Sequence, residues 1–198
     1  MKLLIATRNP HKVLEIQAAL KTFRSIECIG LLEIDQIENV EETGASFEAN
    51  ACLKAQHYAR HSGFMCLADD SGLEIDALAG QPGVHSARFM GEDTPYAIKN
   101  EAILADLKTS PQRTARFVSV VALASGLDPC IHFRGSVEGT IAHSIRGSGG
   151  FGYDPIFIPD GFDRSFGEMS FEEKNQLSHR ARALEKCKAY LKEWMMND

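Results

Sequence analysis

Apolar and polar positions follow two rhythms along this chain, one helical and one alternating. Lys2 to Ala6 reads as a short buried strand. Val13, Ile16, Leu20 and Phe23 then recur at helical spacing, with Asn9 placed to cap the helix and Pro10 suited to its first position. A second strand is predicted near Ile26 to Ile29, followed by an acidic stretch ending Glu41-Glu42-Thr43-Gly44. Ser46 caps a second helix that runs to about His61. Cys52, Ala55 and Ala59 form its apolar stripe, and Asn50, Lys54, His57 and His61 share the polar face.

Phe64 to Ala68 predicts a short buried strand ending at Asp69-Asp70-Ser71-Gly72, ahead of a Gly80-Gln81-Pro82-Gly83 loop. A helix is expected over Thr94 to Leu107 and a strand over Ala115 to Ala124. Ile131 to Ile141 alternates, with Ile131, Phe133, Val137 and Ile141 on one face and His132, Arg134, Ser136 and Glu138 on the other. The two strands are joined by Ser125-Gly126-Leu127-Asp128-Pro129, which predicts a hairpin with one wet face. Ser170 and Glu173 make a capping box for a short helix. The last helix starts near Ser178, with Leu184, Cys187, Leu191 and Trp194 as its core stripe. Strand–helix units followed by strands and then helices imply an α/β protein with a mixed sheet.

Composition narrows the function classes. The 198 residues suit one domain, and the balance of 44% hydrophobic to 24% charged residues is that of a chain with a real core. The net charge is −6, and no long basic run occurs, which argues against a duplex-binding face. A nucleotide site remains compatible, because local cations and a metal offset an acidic background. The apolar N-terminal run is too short for a signal peptide, and no run approaches the ~18 residues of a membrane span. The cytoplasm is the expected location. The 5 cysteines include no Cys-x-x-Cys pair and read as small buried hydrophobes of a reducing compartment.

Several motifs carry candidate chemistry. Thr7-Arg8-Asn9-Pro10-His11-Lys12 sits on a strand-to-helix turn, where free N–H groups attract phosphate. Lys12 in a first helical turn opposes the helix dipole, a cost that becomes reasonable if it answers an anion. A surface lysine after a capped turn is the plainer alternative. Asp69-Asp70 lies at a strand end, where α/β sheets bind ligands. Its two side chains converge only if the strand stops there. An Asp-Ser-Gly turn is the alternative. Mg²⁺ takes one or two carboxylates plus phosphate oxygens and water. Glu41 and Glu42 could add carboxylates and Lys54 a cation.

Gly147-Ser148-Gly149-Gly150-Phe151-Gly152 fits the letters of a dinucleotide fingerprint but not its place, since it lies late in the chain and runs into Tyr153-Asp154-Pro155. Phe151 could stack on a base and Asp154 read an N–H edge, or the pair could be a core aromatic beside a turn. Lys174, His179 and Arg180 surround a helix–helix break and could donate to a purine carbonyl. His57 and His61 have i,i+4 metal spacing, but a solvated face explains them.

Taken together, Thr-x-Asn-x-x-Lys, Glu-Glu-Thr-Gly, Asn-Ala-x-x-Lys-Ala, Ala-Asp-Asp-Ser-Gly-Leu, Pro-Gly-Val-x-Ser-Ala-Arg, Gly-Gly-Phe-Gly-Tyr-Asp-Pro-Ile-Phe and Ser-His-Arg occur in this order. The chain closely resembles the inosine/xanthosine triphosphate pyrophosphatase family over nearly its whole length. The resemblance implies a single domain over 1–198: an elongated α/β fold with a mixed central sheet flanked by helices, and two lobes with a nucleotide cleft between them. It also implies a homodimer, Mg²⁺ dependence and a purine nucleoside triphosphate as the small-molecule partner, with no nucleic acid or membrane. By the same resemblance, Asp70 is the general base and Glu42, Asp69 and Asp70 support the metal, with Glu41 beside them. Thr7, Arg8, Asn9, Pro10, His11, Lys12 and Lys54 face the phosphates, and Ser71 contacts the substrate. Phe151, Gly152, Tyr153, Asp154, Lys174, His179 and Arg180 form the base pocket.

The expected reaction is hydrolysis of ITP, dITP or XTP to the monophosphate and pyrophosphate. Rival readings are a pyrophosphatase of other modified nucleotides and a nucleotide-binding regulator without turnover.

Overall fold

The computed structural model describes residues 1–34, 37–126 and 128–197. In chain order the elements are β1 (Lys2–Ile5), α1 (Pro10–Leu20), β2 (Glu27–Gly30), α2 (Phe47–Ser62), β3 (Met65–Ile75), α3 (Tyr96–Asp106), β4 (Thr114–Ala124), β5 (Ile131–Ile141), β6 (Phe157–Pro159), α4 (Phe171–Leu177) and α5 (His179–Asn197). The strands form one six-stranded sheet in the order β2-β1-β3-β4-β5-β6. β1 pairs in parallel with β2 and β3, whereas β5 and β6 are antiparallel, so the sheet is mixed.

The chain divides into two compact units. The first comprises Met1–Asp70, Ser119–Gly135 and Arg180–Asp198; the second comprises Ser71–Val118 and Ser136–His179. In the first unit α1 and α5 cover one sheet face. Leu3, Ile5, Leu67, Val121 and Leu123 meet Ile16, Leu20, Leu184, Cys187 and Leu191 there. α2 serves the opposite face, where Ser62 Oγ lies 3.8 Å from Cys66 Sγ. The second unit packs Leu73, Ile75, Ile103, Leu107, Phe117, Val137, Phe157 and Phe166 into its own core.

Local signals explain many boundaries. Asn9 Oδ1 accepts from the His11 and Lys12 backbone N–H groups, capping α1 as expected. Ser46 caps α2, and Gly63 ends it in the left-handed conformation at φ 72°. Ser170 and Glu173 form the capping box of α4. β5 has the bounds its alternation predicts, although its first residue, Ile131, is exposed. Leu127 of the expected turn before it lies outside the described residues.

Four expectations are corrected. β3 does not stop before Asp69-Asp70 but runs through both to Ile75, and Asp-Ser-Gly is not a turn. The apolar Leu73 and Ile75 beyond the acidic pair bury in the second core, which draws the strand onward. Asn50 is not on a polar helix face: it is fully buried, as are Ala51 and Ala55. The cysteines are not five buried thiols, because Cys52 and Cys130 form a disulfide across 78 residues of sequence and Cys28 is only half-buried. Trp194 is likewise half-buried rather than core. β6 is a three-residue strand too short for a periodicity signal. Among the described residues, no helix is long and apolar enough to cross a membrane.

Candidate active site

The parallel register of β1 against β3 sets Leu3, Leu4 and Ile5 opposite Met65, Cys66 and Leu67. Ala6 N–H then donates to Leu67 O at 2.7 Å, so the turn leaving β1 runs beside the acidic residues of β3. Because side chains alternate along a strand, Asp69 shares the face of Leu67, and Asp70 takes the other. The two carboxylates therefore do not converge.

On the α1/α5 face, Asp69 is saturated. Arg180 forks onto it, with Nε 3.0 Å from Oδ1 and an NH2 nitrogen 3.2 Å from Oδ2. Ser119 Oγ donates to Oδ1 at 2.5 Å, and Lys12 Nζ lies 2.7 Å from Oδ2. The remaining Arg180 nitrogen reaches Glu15 of α1. Burial alone would raise the Asp69 carboxyl, but Arg180 and Lys12 hold it well below the usual carboxylate range. Burial lowers Lys12, and Asp69 opposes that shift. The charge that Lys12 answers in its first helical turn is thus a protein carboxylate.

On the α2 face, Asp70 is under-served. Its Oδ1 lies 3.4 Å from Lys54 Nζ, while Oδ2 is buried with no hydrogen-bond partner among the described residues. Burial raises the Asp70 carboxyl; Lys54 and Lys12 oppose the shift, and Glu42 and Asp69 add to it. Lys54 also binds Glu42 Oε1 at 2.8 Å. Burial pushes Lys54 down, but two flanking carboxylates, Asp70 and Glu42, outweigh it and raise it. A lysine shared by two acids and an acid with one distant lysine have different balances, so both shifts are upward.

Glu42 owes its position to α2. Gly44 N–H donates to Asn50 Oδ1 at 2.7 Å, and a Cβ on Gly44 would lie 2.5 Å from that oxygen. The acidic stretch can approach the helix this closely only through glycine. Glu41, one residue earlier, points to solvent and is exposed.

The turn after β1 presents Arg8, Pro10 and His11 at the surface and keeps Thr7 and Asn9 half-buried. Thr7 Oγ1 accepts from Asn9 N–H at 3.2 Å. Asn9 Oδ1 is committed to capping, which leaves its amide N–H pair and the Thr7 hydroxyl hydrogen as donors for a ligand.

The second unit holds the remaining candidates. Asp154 Oδ2 accepts from Phe151 N–H at 2.7 Å and from Lys174 Nζ at 2.6 Å. Lys174 Nζ sits 4.3 Å from the Phe151 ring centroid, a cation–π contact. Asp154 therefore clamps the glycine loop, and the same Lys174 holds Phe151. Gly150 has φ 69°, and a Cβ there would collide with Asp154 Oδ2. Gly152 O accepts from Asn100 Nδ2 at 3.1 Å. Tyr153 is buried and donates to Ser86 O at 2.8 Å. His179 is buried and stacks on Phe117 with ring centroids 4.6 Å apart. Ser71 is half-buried in β3.

Sequence reasoning did not single out Glu15, Ser119 or Asn100. Ser119 leaves a trace, a lone hydroxyl inside the apolar run of β4. Glu15 leaves the weaker one of a carboxylate three residues after Lys12 on α1. Asn100 leaves none in α3. Among the described residues, no three His, Cys, Asp or Glu side chains are grouped as a preformed metal cage.

A Ham1 family model matches residues 3–190. The chain belongs to the Ham1 family. A dITP/XTP pyrophosphatase of Porphyromonas gingivalis is 47% identical over 192 residues, covering 96% of this chain and 97% of that protein. The structure of a HAM1 protein from Coxiella burnetii superposes with a TM-score of 0.90 at 38% identity, covering 98% of this chain and 99% of the other. That of a nucleoside-triphosphatase, or dITP/XTP pyrophosphatase, from Mycobacterium abscessus gives 0.76 at 43% identity, with 94% and 98% covered. The α/β fold with a mixed sheet is thus a Ham1 fold.

Proposed function

We propose that this chain hydrolyses non-standard purine nucleoside triphosphates (ITP, dITP and XTP) to the nucleoside monophosphate and pyrophosphate. The observation that carries the reading is Asp70: a buried carboxylate with an unpartnered oxygen and a raised pKa, beside Lys54. A carboxylate shifted upward toward operating pH is suited to accept a proton. Two of the three similar proteins named above, those of Porphyromonas gingivalis and Mycobacterium abscessus, are dITP/XTP pyrophosphatases and support the substrate class.

In this reading the water oxygen bonds to the α-phosphorus, the bond to the bridging oxygen breaks, and pyrophosphate leaves. Asp70 takes the proton of the water. Lys12 and Lys54 offset phosphate charge so that an anionic base can approach, and Thr7 and Asn9 donate to phosphate oxygens. Such a reaction is governed by positioning and electrostatics.

Glu42 and Asp70 are the carboxylates suited to Mg²⁺, since both gather on Lys54 and Asp70 keeps a bare oxygen. Bound there, Mg²⁺ would bring positive charge to the triphosphate and ease ionisation of water. Asp69 fits a different role from direct ligation: with both oxygens on Arg180, Lys12 and Ser119, it holds Lys12 in place.

Base reading is assigned to the second unit. Phe151 offers a ring to stack on, and Lys174 a cation for a C6 carbonyl, which adenine lacks. A site built to bond that carbonyl rejects a base that cannot. The Arg180 nitrogens lie on Asp69 and Glu15, which suits a role in holding those acids. The reading carries a homodimer and a cytoplasmic nucleotide pool with it.

The test is pyrophosphate release from ITP, dITP, XTP, ATP, GTP and dUTP with and without Mg²⁺, the oligomer being sized by light scattering. Preference for the first three with Mg²⁺ is expected. Equal turnover of ATP, release of orthophosphate alone, or an intact bound nucleotide would overturn the reading.

A further inference from the structure

One feature of the first unit is unused by the reaction above. Cys52 lies on α2, and its disulfide partner Cys130 stands just before β5, with Cα atoms 5.7 Å apart. Neither residue is buried; both are half-exposed to solvent. The Nδ1 atom of His132, an exposed residue of β5, lies 4.0 Å from Cys52 Sγ. A thiol beside an imidazole is the usual setting of a reactive cysteine, because the ring takes the proton that the nucleophile must lose. Accessible disulfides of this kind are the labile and regulatory ones, whereas structural ones are shielded.

The bridge also has a mechanical context. Cys52 is two residues before Lys54 on the same helix. An ion pair also joins α2 to β5, Arg134 to Glu48 at 2.8 Å, and it is partly exposed. Exposed pairs of this sort contribute little. The covalent link is therefore the strong tie between the helix that carries Lys54 and the start of β5.

We propose that Cys52–Cys130 is a reversible thiol–disulfide exchange site, with Cys52 as its nucleophile and His132 as its acid–base partner, and that its oxidation state sets how firmly α2 presents Lys54. The reactant class is a small or protein-borne dithiol. One thiolate of the dithiol attacks Cys130 Sγ, the S–S bond breaks, and Cys52 leaves with its negative charge neutralised by a proton from His132. The second thiol of the reductant then attacks the mixed disulfide and releases Cys130 as a thiol. Two electrons and two protons pass from the dithiol to the protein, and the reductant becomes a disulfide. Oxidation runs the same steps backwards, with Cys52 thiolate attacking. The link to Lys54 rests on the proposed function; the exchange chemistry does not.

The experiment has two arms. In the first, native protein is treated with dithiothreitol and alkylated with iodoacetamide, and its peptides are weighed. Cys52 and Cys130 are expected to be protected before reduction and labelled after it. In Cys130→Ser, Cys52 is expected to alkylate about tenfold faster at neutral pH than in Cys130→Ser combined with His132→Asn, because a neighbouring imidazole favours the thiolate. In the second arm, XTP hydrolysis is measured on oxidised and reduced wild type. Reduction is expected to raise KM about fivefold, the lower end of coupling between distinct sites. Cys52→Ser is expected to match the reduced form and to ignore dithiothreitol.

A bridge that resists native reduction, or a Cys52 rate indifferent to His132, overturns the exchange site. Equal KM in both states overturns the coupling. No hydrolysis in either state would instead count against the proposed function, leaving the alkylation arm to decide the exchange site.

Discussion

Asp69 and Asp70 are neighbours in sequence and opposites in environment. The Asp69 side of β3 is closed: Arg180, Lys12 and Ser119 occupy both oxygens, and the carboxyl stays ionised. The Asp70 side, though buried, is open in hydrogen bonding: one oxygen reaches a lysine at 3.4 Å, the other finds no partner among the described residues, and the carboxyl is pushed toward neutrality. A saturated carboxylate holds other groups still. An unsaturated one keeps capacity to accept a proton. The difference between scaffold and reagent is here one residue of pleat.

The largest expected effect is on the open side. Asp70→Asn should lower turnover by about 10²–10⁴, the usual worth of a positioned base. The fold should not suffer. A carboxyl with a folded pKa above its unfolded value loses stability as pH rises through that window, so at neutral pH its charge is a net cost. An unchanged or higher melting temperature with collapsed pyrophosphate release is the expected result. In wild type, kcat/KM should fall as pH drops through the raised pKa of Asp70, with the midpoint above that of an ordinary aspartate.

Next comes the closed side, where the damage should be to stability. Arg180→Met takes the shared guanidinium away from buried Asp69 and Glu15, leaving Lys12 as the cation on Asp69. The cost of removing one partner of a buried pair is about 3–5 kcal/mol, readable by urea denaturation. A variant as stable as wild type would mean that the fork is dispensable. Asp69→Asn probes the same side through pH. Asp69 has a depressed folded pKa, so its stabilisation is complete above the ordinary carboxylate value and drains away as pH falls toward the folded one. Urea melts across the acid range should show a flatter pH slope in the variant.

The smallest effect lies in the second unit. Phe151→Ala should raise KM about tenfold, within the worth of one base–aromatic stack, and leave kcat nearly intact. Unchanged KM would remove Phe151 from base reading.

Much of this is legible in the sequence. Asn9, Pro10, Ser46 and Ser170 mark helix starts because capping is local chemistry. β5 was legible over its whole length because its alternation is uninterrupted. What could not be read was decided at a distance. The continuation of β3 through two aspartates depends on a core more than 30 residues further on, including Ile103 and Phe117. The burial of Arg180 depends on Glu15 and Asp69, 165 and 111 residues away. The Cys52–Cys130 bond spans 78 residues and carries no spacing signal. Asp154 was expected to face a base, but its Oδ2 serves the loop beside it, and only the geometry of Gly150 and Lys174 reveals that.

The β1–β3 register carries a further consequence. Leu3, Leu4 and Ile5 stand opposite Met65, Cys66 and Leu67, and that frame alone decides which aspartate faces which helix. A single inserted or deleted residue between Leu67 and Asp69 would invert the parity of the strand, delivering the reagent to the arginine and the anchor to the open side. Point substitution can weaken such a site by degrees, whereas a one-step slip exchanges its two halves outright. Chains descended from this one are thus free to drift in identity around the acidic pair but not in count.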